Sequence, residues 1–292
     1  MTENHATNHA TNLDTLKTNH EILILGGTGK TGRRIAARLP GARVGSRAGT
    51  PPFDWTDQAT WAPALAGTRA AYLAYYPDVT APWASDVLGA LAERAARAGV
   101  ERLVLLSARG LPNARPAERA VREAGTGWTI LRASWFCQNF SEEFPAAGIR
   151  ERGELVLPAA PDTVEAFVDA DDIADVAVAA LTGGGLDGRT LELTSPRALT
   201  LAESVAELGR ATGREIRYRA VSAGAYAAHL TADVGLPTEV AGMLAALFEE
   251  ALDGRNAAVT GDVAAVLGRP ARDFADFAAA TATAWRASPT PA

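Results

Sequence analysis

The residues of this chain whose type and spacing are most specific for chemistry are the glycines of GGTGKTGRR, residues 26–34. Two glycine spacings are satisfied at once, GxxGxxG by Gly26, Gly29 and Gly32, and GxGxxG by Gly27, Gly29 and Gly32. The segment follows the apolar run ILIL and opens RRIAARL, whose apolar residues recur at helical spacing. Strand, tight turn and helix in that order let bare backbone approach a pyrophosphate at the positive end of a helix. Gly26, Thr28, Gly29, Lys30, Thr31 and Gly32 are therefore the candidate contacts for a dinucleotide. The same letters invite a P-loop reading through Gly29, Lys30 and Thr31, but that motif needs a glycine five residues before Gly29, where Ile24 stands.

The choice between dinucleotides falls at the end of the second strand, about 20 residues after the first glycine, where an acid would hold the ribose hydroxyls of NAD. Here the chain reads Gly45, Ser46, Arg47. With no acid present and a guanidinium able to fork onto a phosphate, the segment favours NADP(H), with Ser46 and Arg47 as contacts. The alternative makes Arg47 a plain surface arginine. Asp54 and Trp55 can meet the adenine through a carboxylate and a ring face, and Trp55 can equally be core.

These residues need a sheet to position them. After EILIL come ARVGS (42–46), FDWTD (53–57), AAYLAYY (70–76), RLVLLSA (102–108) and WTILR (128–132) as further strands, with a helix over 82–98 that ends before Gly99. Apolar strands alternating with helices predict an α/β fold, a Rossmann-type parallel sheet with helices on both faces. The helix 171–181 carries Ile173, Val176, Ala177, Ala180 and Leu181 on one stripe, TLELT (190–194) adds a late strand, and helices follow near 201–211 and 237–252. The expected organisation is a polar N-terminal tail over 1–20, a dinucleotide-binding domain over 21–155, and a segment over 156–292 that supplies late sheet elements and a smaller helix-rich C-terminal cap. That cap is expected over the carboxyl ends of the strands, where open parallel sheets bind ligands.

Composition removes several classes. The chain has 292 residues, 48% of them hydrophobic, and a formal charge of −6. Only Lys17 and Lys30 supply lysine, and the arginines are scattered beside acids, so nucleic acid is not an expected partner. The single cysteine, Cys137, excludes an internal disulfide and a cysteine-built metal site, and no metal is expected. No apolar run nears the roughly 20 residues that span a bilayer, and no signal peptide is legible, so no membrane partner and a cytoplasmic location are expected. The tail carries an HATN repeat with His5, His9 and His20; a weak metal-binding reading competes there with a disordered tail, which its polar composition favours.

As a set, GGTGKTGRR, FDWTD, LVLLSARG, GWTILRASWFCQNF (127–140) and FVDADDIADVAVAAL (167–181) resemble the NmrA-like branch of the atypical short-chain dehydrogenases/reductases, from about residue 21 to the C-terminus. Among these the chain looks most like the ergot-alkaloid reductases of the festuclavine and agroclavine type and their bacterial relatives. The resemblance implies an NADPH-dependent reductase with the nicotinamide near Ser107 and Ala108 and near Ala133, Ser134, Trp135 and Phe136. Ser107 occupies the serine position of the short-chain family; a strand-end turn serine is the simpler alternative.

One departure bears on mechanism. Ordinary short-chain dehydrogenases carry a tyrosine and a lysine four residues apart on the helix after the fifth strand, whereas here that helix reads ARPAERAVREAG. None of Tyr72, Tyr75, Tyr76, Tyr218 and Tyr226 has a lysine four positions later. A carbonyl that accepts hydride builds negative charge on oxygen and needs a donor, whereas an iminium carbon needs none. The missing pair, with the resemblance, favours an imine, an iminium or a conjugated acceptor such as an enone or quinone over a simple ketone, although a lone tyrosine or a water can replace the pair. Tyr75 and Tyr76, at the end of AAYLAYY, are candidates for proton donation or substrate stacking, or for packing. Trp135, Phe136, Gln138, Asn139 and Phe140 can floor a small-molecule substrate pocket. Asp169, Asp171 and Asp172 precede a helix, so at least one should cap it, while an acid such as Asp169 facing the pocket can steady a cation. Tyr226 and His229 fall in an expected cap helix, and His229 is expected to lack a second ligand at metal spacing. No GxSxG supports a hydrolase. An NADP-binding redox sensor without turnover and a non-redox cyclase or isomerase with structural NADP are the alternative functions, and the apolar C-terminal helices permit a homodimer.

Overall fold

The computed structural model describes residues 19–142, 144–183 and 185–285. The tail expected over 1–20 therefore lies outside the described residues up to residue 18, His5 and His9 included. Asn19 is already helical and buried, and its side-chain amide donates to the Pro40 carbonyl at 3.0 Å.

The described residues divide into two compact units, one running up to residue 132 and taking in 173–191, the other made of 133–172 and the residues from 192 on. The division falls at 132/133 and not at 155, and the first unit takes back a later helix and strand. The first unit is built on β1 (Ile22–Leu25), β2 (Arg43–Gly45), β3 (Ala70–Leu73), β4 (Arg102–Ala108), β5 (Gly127–Ala133) and β8 (Arg189–Leu193), in the order β2-β1-β3-β4-β5-β8. The pairs β1–β2, β1–β3 and β3–β4 are parallel, with Ile24 opposite both Val44 and Tyr72, and Tyr72 opposite Val104. Helices α1 (Gly32–Arg38), α2 (Trp61–Leu65), α3 (Ala84–Arg97), α4 (Arg115–Arg122) and α6 (Ala170–Thr182) connect the strands.

Alternation in the strands gives the sheet two apolar faces. Leu23, Leu25, Leu73, Leu103 and Leu105 join Leu88, Leu91 and Val121 of α3 and α4 in one core. The expected stripe of α6, Ile173, Val176, Ala177, Ala180 and Leu181, is fully buried. Arg38 of α1 pairs with Asp175 of α6 at 2.6 Å, so these two helices lie side by side.

FDWTD is not a strand. Asp54 and Asp57 form only an isolated bridge, the Asp54 carbonyl accepts the Trp61 indole N–H at 2.8 Å, and Asp57 caps a short 3-10 turn. The backbone groups of this run are satisfied by turns, so a β-rich composition has no ladder to join. β3 also stops at Leu73, three residues short of AAYLAYY, and Tyr75 and Tyr76 lie in the loop beyond it.

The second unit pairs β6 (Glu154–Leu157) with β10 (Arg217–Ala220) in parallel and β7 (Val164–Glu165) with β9 (Leu199–Thr200) antiparallel. Its helices are α5 (Phe144–Arg152), α7 (Leu201–Thr212), α8 (Ala223–Ala232), α9 (Thr238–Ala251), α10 (Asp262–Leu267) and α11 (Phe274–Ala280). A reciprocal cap starts α7, where the Thr200 hydroxyl takes the Glu203 N–H and the Glu203 carboxylate takes the Thr200 N–H. Among the described residues no helix is long and apolar enough to cross a membrane.

Candidate active site

The glycine loop connects β1 to α1 and is shaped by contacts that exclude side chains. Gly26 has φ of +76°, and a Cβ there would lie 2.8 Å from the Ala74 carbonyl oxygen. A Cβ on Gly27 would meet Val44 Cγ1 at 2.6 Å, and one on Gly32 would collide with the Gly26 carbonyl oxygen. Gly32 thus lets the first turn of α1 press directly on the loop. Gly29 is less constrained, its added Cβ lying 3.2 Å from the Gly26 oxygen, and its N–H donates to that same oxygen at 2.9 Å. Tyr72 of β3 donates to the Thr31 hydroxyl at 2.9 Å in the buried interior, fixing the residue that begins α1. Thr28 and Gly29 are exposed at the tip and Lys30 is half-buried. A backbone cradle with a solvent-open tip at the carboxyl end of a parallel strand fits the pyrophosphate of a dinucleotide.

β2 ends beside this loop. The Ser46 carbonyl accepts the N–H groups of Gly49 and Phe53, and Arg47 is exposed. The N–H and hydroxyl of Thr56, each at 2.8 Å, together with the charge of Arg47, hold the Asp54 carboxyl below the usual carboxylate range. Trp55 stands edge-on to Phe53 at 4.9 Å and to Tyr75 at 5.0 Å, which brings the FDWTD turn and the loop after β3 together. Burial pushes the Tyr75 phenol up, against a hydrogen bond with Trp83. Tyr76 is 76% exposed and packs little.

Ser107 and Ala108 end β4. Ser107 is buried, and its hydroxyl donates to Glu118 Oε1 at 2.7 Å. Glu118, on α4, is the residue that inspection of the sequence missed. It also receives Arg115 at 2.6 Å, Arg132 Nε at 2.9 Å and Arg132 Nη2 at 2.7 Å. Burial alone would raise its carboxyl, yet the hydrogen bonds from Arg132 and Ser107 and the charges of Arg132 and Arg115 hold it below the ordinary glutamate range. The available signal was a single acid three residues after Arg115 and four before Arg122 on one helix face.

In the second unit Ala133 and Ser134 are buried, with the Ser134 N–H donating to the Leu193 carbonyl at 3.2 Å. Trp135 is half-buried and edge-on to Phe248 at 4.5 Å, and the Trp135 N–H donates to Glu165 Oε1. Phe136 and Asn139 are also half-buried. Four expected substrate contacts read differently here. Phe140 is sealed against Phe167 at 5.5 Å and Phe274 at 5.3 Å, and its carbonyl holds the Trp285 indole, so it is core. Tyr226 is 1% exposed and packs on Phe248 at 5.7 Å. The Gln138 amide donates to Asp169 Oδ1 at 3.0 Å and accepts the Ala170 N–H at 2.7 Å. Asp169 accepts the Asp171 N–H at 2.7 Å, which makes it the cap of α6, and burial pushes its carboxyl up. Asp172 is fully buried and ion-paired with Arg269 and Arg272. Contrary to expectation an acid does stand one helical turn after His229, and the two are bonded, Asp233 contacting Nδ1.

Sheet order, glycine cradle and loop position define a nucleotide-binding Rossmann protein. No family model matches the chain. It is 35% identical over 279 residues to an uncharacterized oxidoreductase of Bacillus subtilis, YesF, which covers 90% of this chain and 96% of that protein. It is 32% identical to agroclavine dehydrogenase of Claviceps fusiformis over 90% of this chain and 98% of that one. Among solved structures it is similar to the NADPH complex of the quinone oxidoreductase QOR2 of Escherichia coli, with a TM-score of 0.75, 24% identity, and coverage of 89% and 99%. The chain belongs to the NmrA-like branch of the atypical short-chain dehydrogenases/reductases, a family of NAD(P)H-dependent oxidoreductases.

Proposed function

We propose that the protein binds NADP(H) in the cradle of Gly26, Gly27, Gly29 and Gly32 and transfers hydride to an imine, an iminium or a conjugated small-molecule acceptor. The observation that carries this reading is the cradle itself, where a Cβ on Gly26, Gly27 or Gly32 would collide with neighbouring protein atoms, so that bare backbone packs tightly at the head of α1 beneath an open tip. Bound NADPH supplies hydride. The chain's own residues position it: the loop backbone holds the pyrophosphate, Arg47 takes the 2′-phosphate, and Trp55 offers a ring face to the adenine. Trp135, Phe136 and Asn139 are the half-buried residues of the second unit assigned to the substrate.

Acceptor class follows from proton supply. The helix α4 presents no tyrosine or lysine, and the serine at the end of β4 already gives its proton to Glu118. An acceptor whose charge hydride simply neutralises, or whose product is a stabilised anion, suits such a site. Of the two phenols on the loop after β3, Tyr76 is exposed, and burial holds the Tyr75 proton more firmly than in water.

Calorimetric titration with NADPH and NADH, followed by a 340 nm oxidation screen over imines, enones, quinones and ketones, tests the reading. Tight NADPH binding with turnover of an imine or conjugated acceptor is expected. Turnover of plain ketones at comparable rates overturns the acceptor class, and tight binding with no turnover points to a sensor or to structural NADP.

A further inference from the structure

Glu118 is 1% exposed, is ionised at neutral pH, and accepts hydrogen bonds from two strand ends and its own helix. An ionised carboxylate has no proton to give. The 2.7 Å bond between Ser107 Oγ and Glu118 Oε1 must therefore be donated by the serine, whose oxygen is left with lone pairs only. Arg132, the arginine of β5, grips both carboxylate oxygens of the same group, at 2.9 Å and 2.7 Å. One buried carboxylate thus fixes the carboxyl ends of two neighbouring strands and the polarity of the serine between them.

We propose that Glu118 is a positioning residue that makes Ser107 a hydrogen-bond acceptor only, so that Ser107 selects an N–H of the ligand at the end of β4, namely the carboxamide N–H of the nicotinamide. This rests on the dinucleotide reading above and adds what the serine does there. Ser107 then contributes to orientation of the ring and not to protonation of the product.

A binding experiment on the full chain decides it without any turnover. NADP+ carries a carboxamide, with both N–H and C=O, whereas 3-acetylpyridine adenine dinucleotide phosphate carries only C=O at that position. The wild type should prefer NADP+ by about tenfold, the value of one hydrogen bond. Ser107→Ala should bring that ratio to about one by removing the acceptor. Glu118→Gln should lower it too, because Arg132 claims the new amide oxygen, the amide N–H points at Ser107, and the serine proton turns toward the ligand. Where Glu118→Gln does not fold, Ser107→Ala alone decides.

An unchanged ratio in Ser107→Ala, or a Glu118→Gln that weakens both dinucleotides equally, overturns the proposal while leaving the cofactor reading intact. Failure of the wild type to bind either dinucleotide overturns both.

Discussion

Two regions carry the chemistry expected of this chain, and they differ in kind. The glycine loop of the first unit acts through backbone, its tip open and its sides closed by contacts that tolerate no Cβ. The segment 135–140 with Asp169 in the second unit is rich in side chains that look reactive in sequence, and several of them are engaged within the protein. Gln138 holds Asp169, Asp169 caps α6, and Phe140 sits in an aromatic core. Spacing can show that a backbone must come close, but not whether a polar side chain will be aimed at a ligand or at its neighbour.

The sharpest way to break this contrast is Gly32→Val. The added side chain collides with the Gly26 carbonyl, and NADPH affinity should fall by at least about 100-fold, the effect of misplacing a binding loop by roughly 1 Å; calorimetry reads it. Next in size is Asp172→Asn, which removes the fully buried carboxylate facing two arginines. Breaking a buried pair costs about 3–5 kcal/mol, and because Arg269 and Arg272 are about one-third exposed and can rehydrate, about 2–3 kcal/mol is expected in urea unfolding. Arg47→Ala should weaken NADPH binding about tenfold and leave NADH unchanged, since one charge-assisted contact is lost with the phosphate. Equal losses for both would reassign Arg47 to structure.

The smallest effects are in pH dependence, where one buried carboxyl of each unit, Glu118 in the first and Asp169 in the second, should have opposite signs. The Glu118 carboxyl is lowered on folding, so its stabilisation is complete above the ordinary glutamate range and is lost as pH falls through the lower folded value. Asp169 is raised by burial, so the folded state holds its proton more tightly and stability contributed there declines as pH rises from the ordinary aspartate range through the raised value. Urea midpoints from pH 3 to 7 should show a flatter acid limb for Glu118→Gln than for the wild type, and for Asp169→Asn a steeper one. The same slope change in both would remove the distinction.

Much of the first unit was legible because its signals are periodic. Strands such as 102–108 and the stripe of α6 follow directly from burial on a parallel sheet. FDWTD has the composition of a strand, but its backbone hydrogen bonds close a turn with Trp61 and Thr60, which composition does not encode. The unit boundary at 132/133 was hidden because the chain leaves the sheet and returns to it after residue 172, which local pattern does not encode. Glu118 was hidden for a related reason: its partners Ser107 and Arg132 are 11 and 14 residues away in sequence and meet only through strand pairing.

The central claim is that the cradle of the first unit holds NADPH. Titration of the wild type and of Gly32→Val, each confirmed folded by circular dichroism, tests it most directly. Tight NADPH binding by the wild type and binding weakened at least about 100-fold in the variant is the predicted result, and equal binding by both, or none by the wild type, would contradict it.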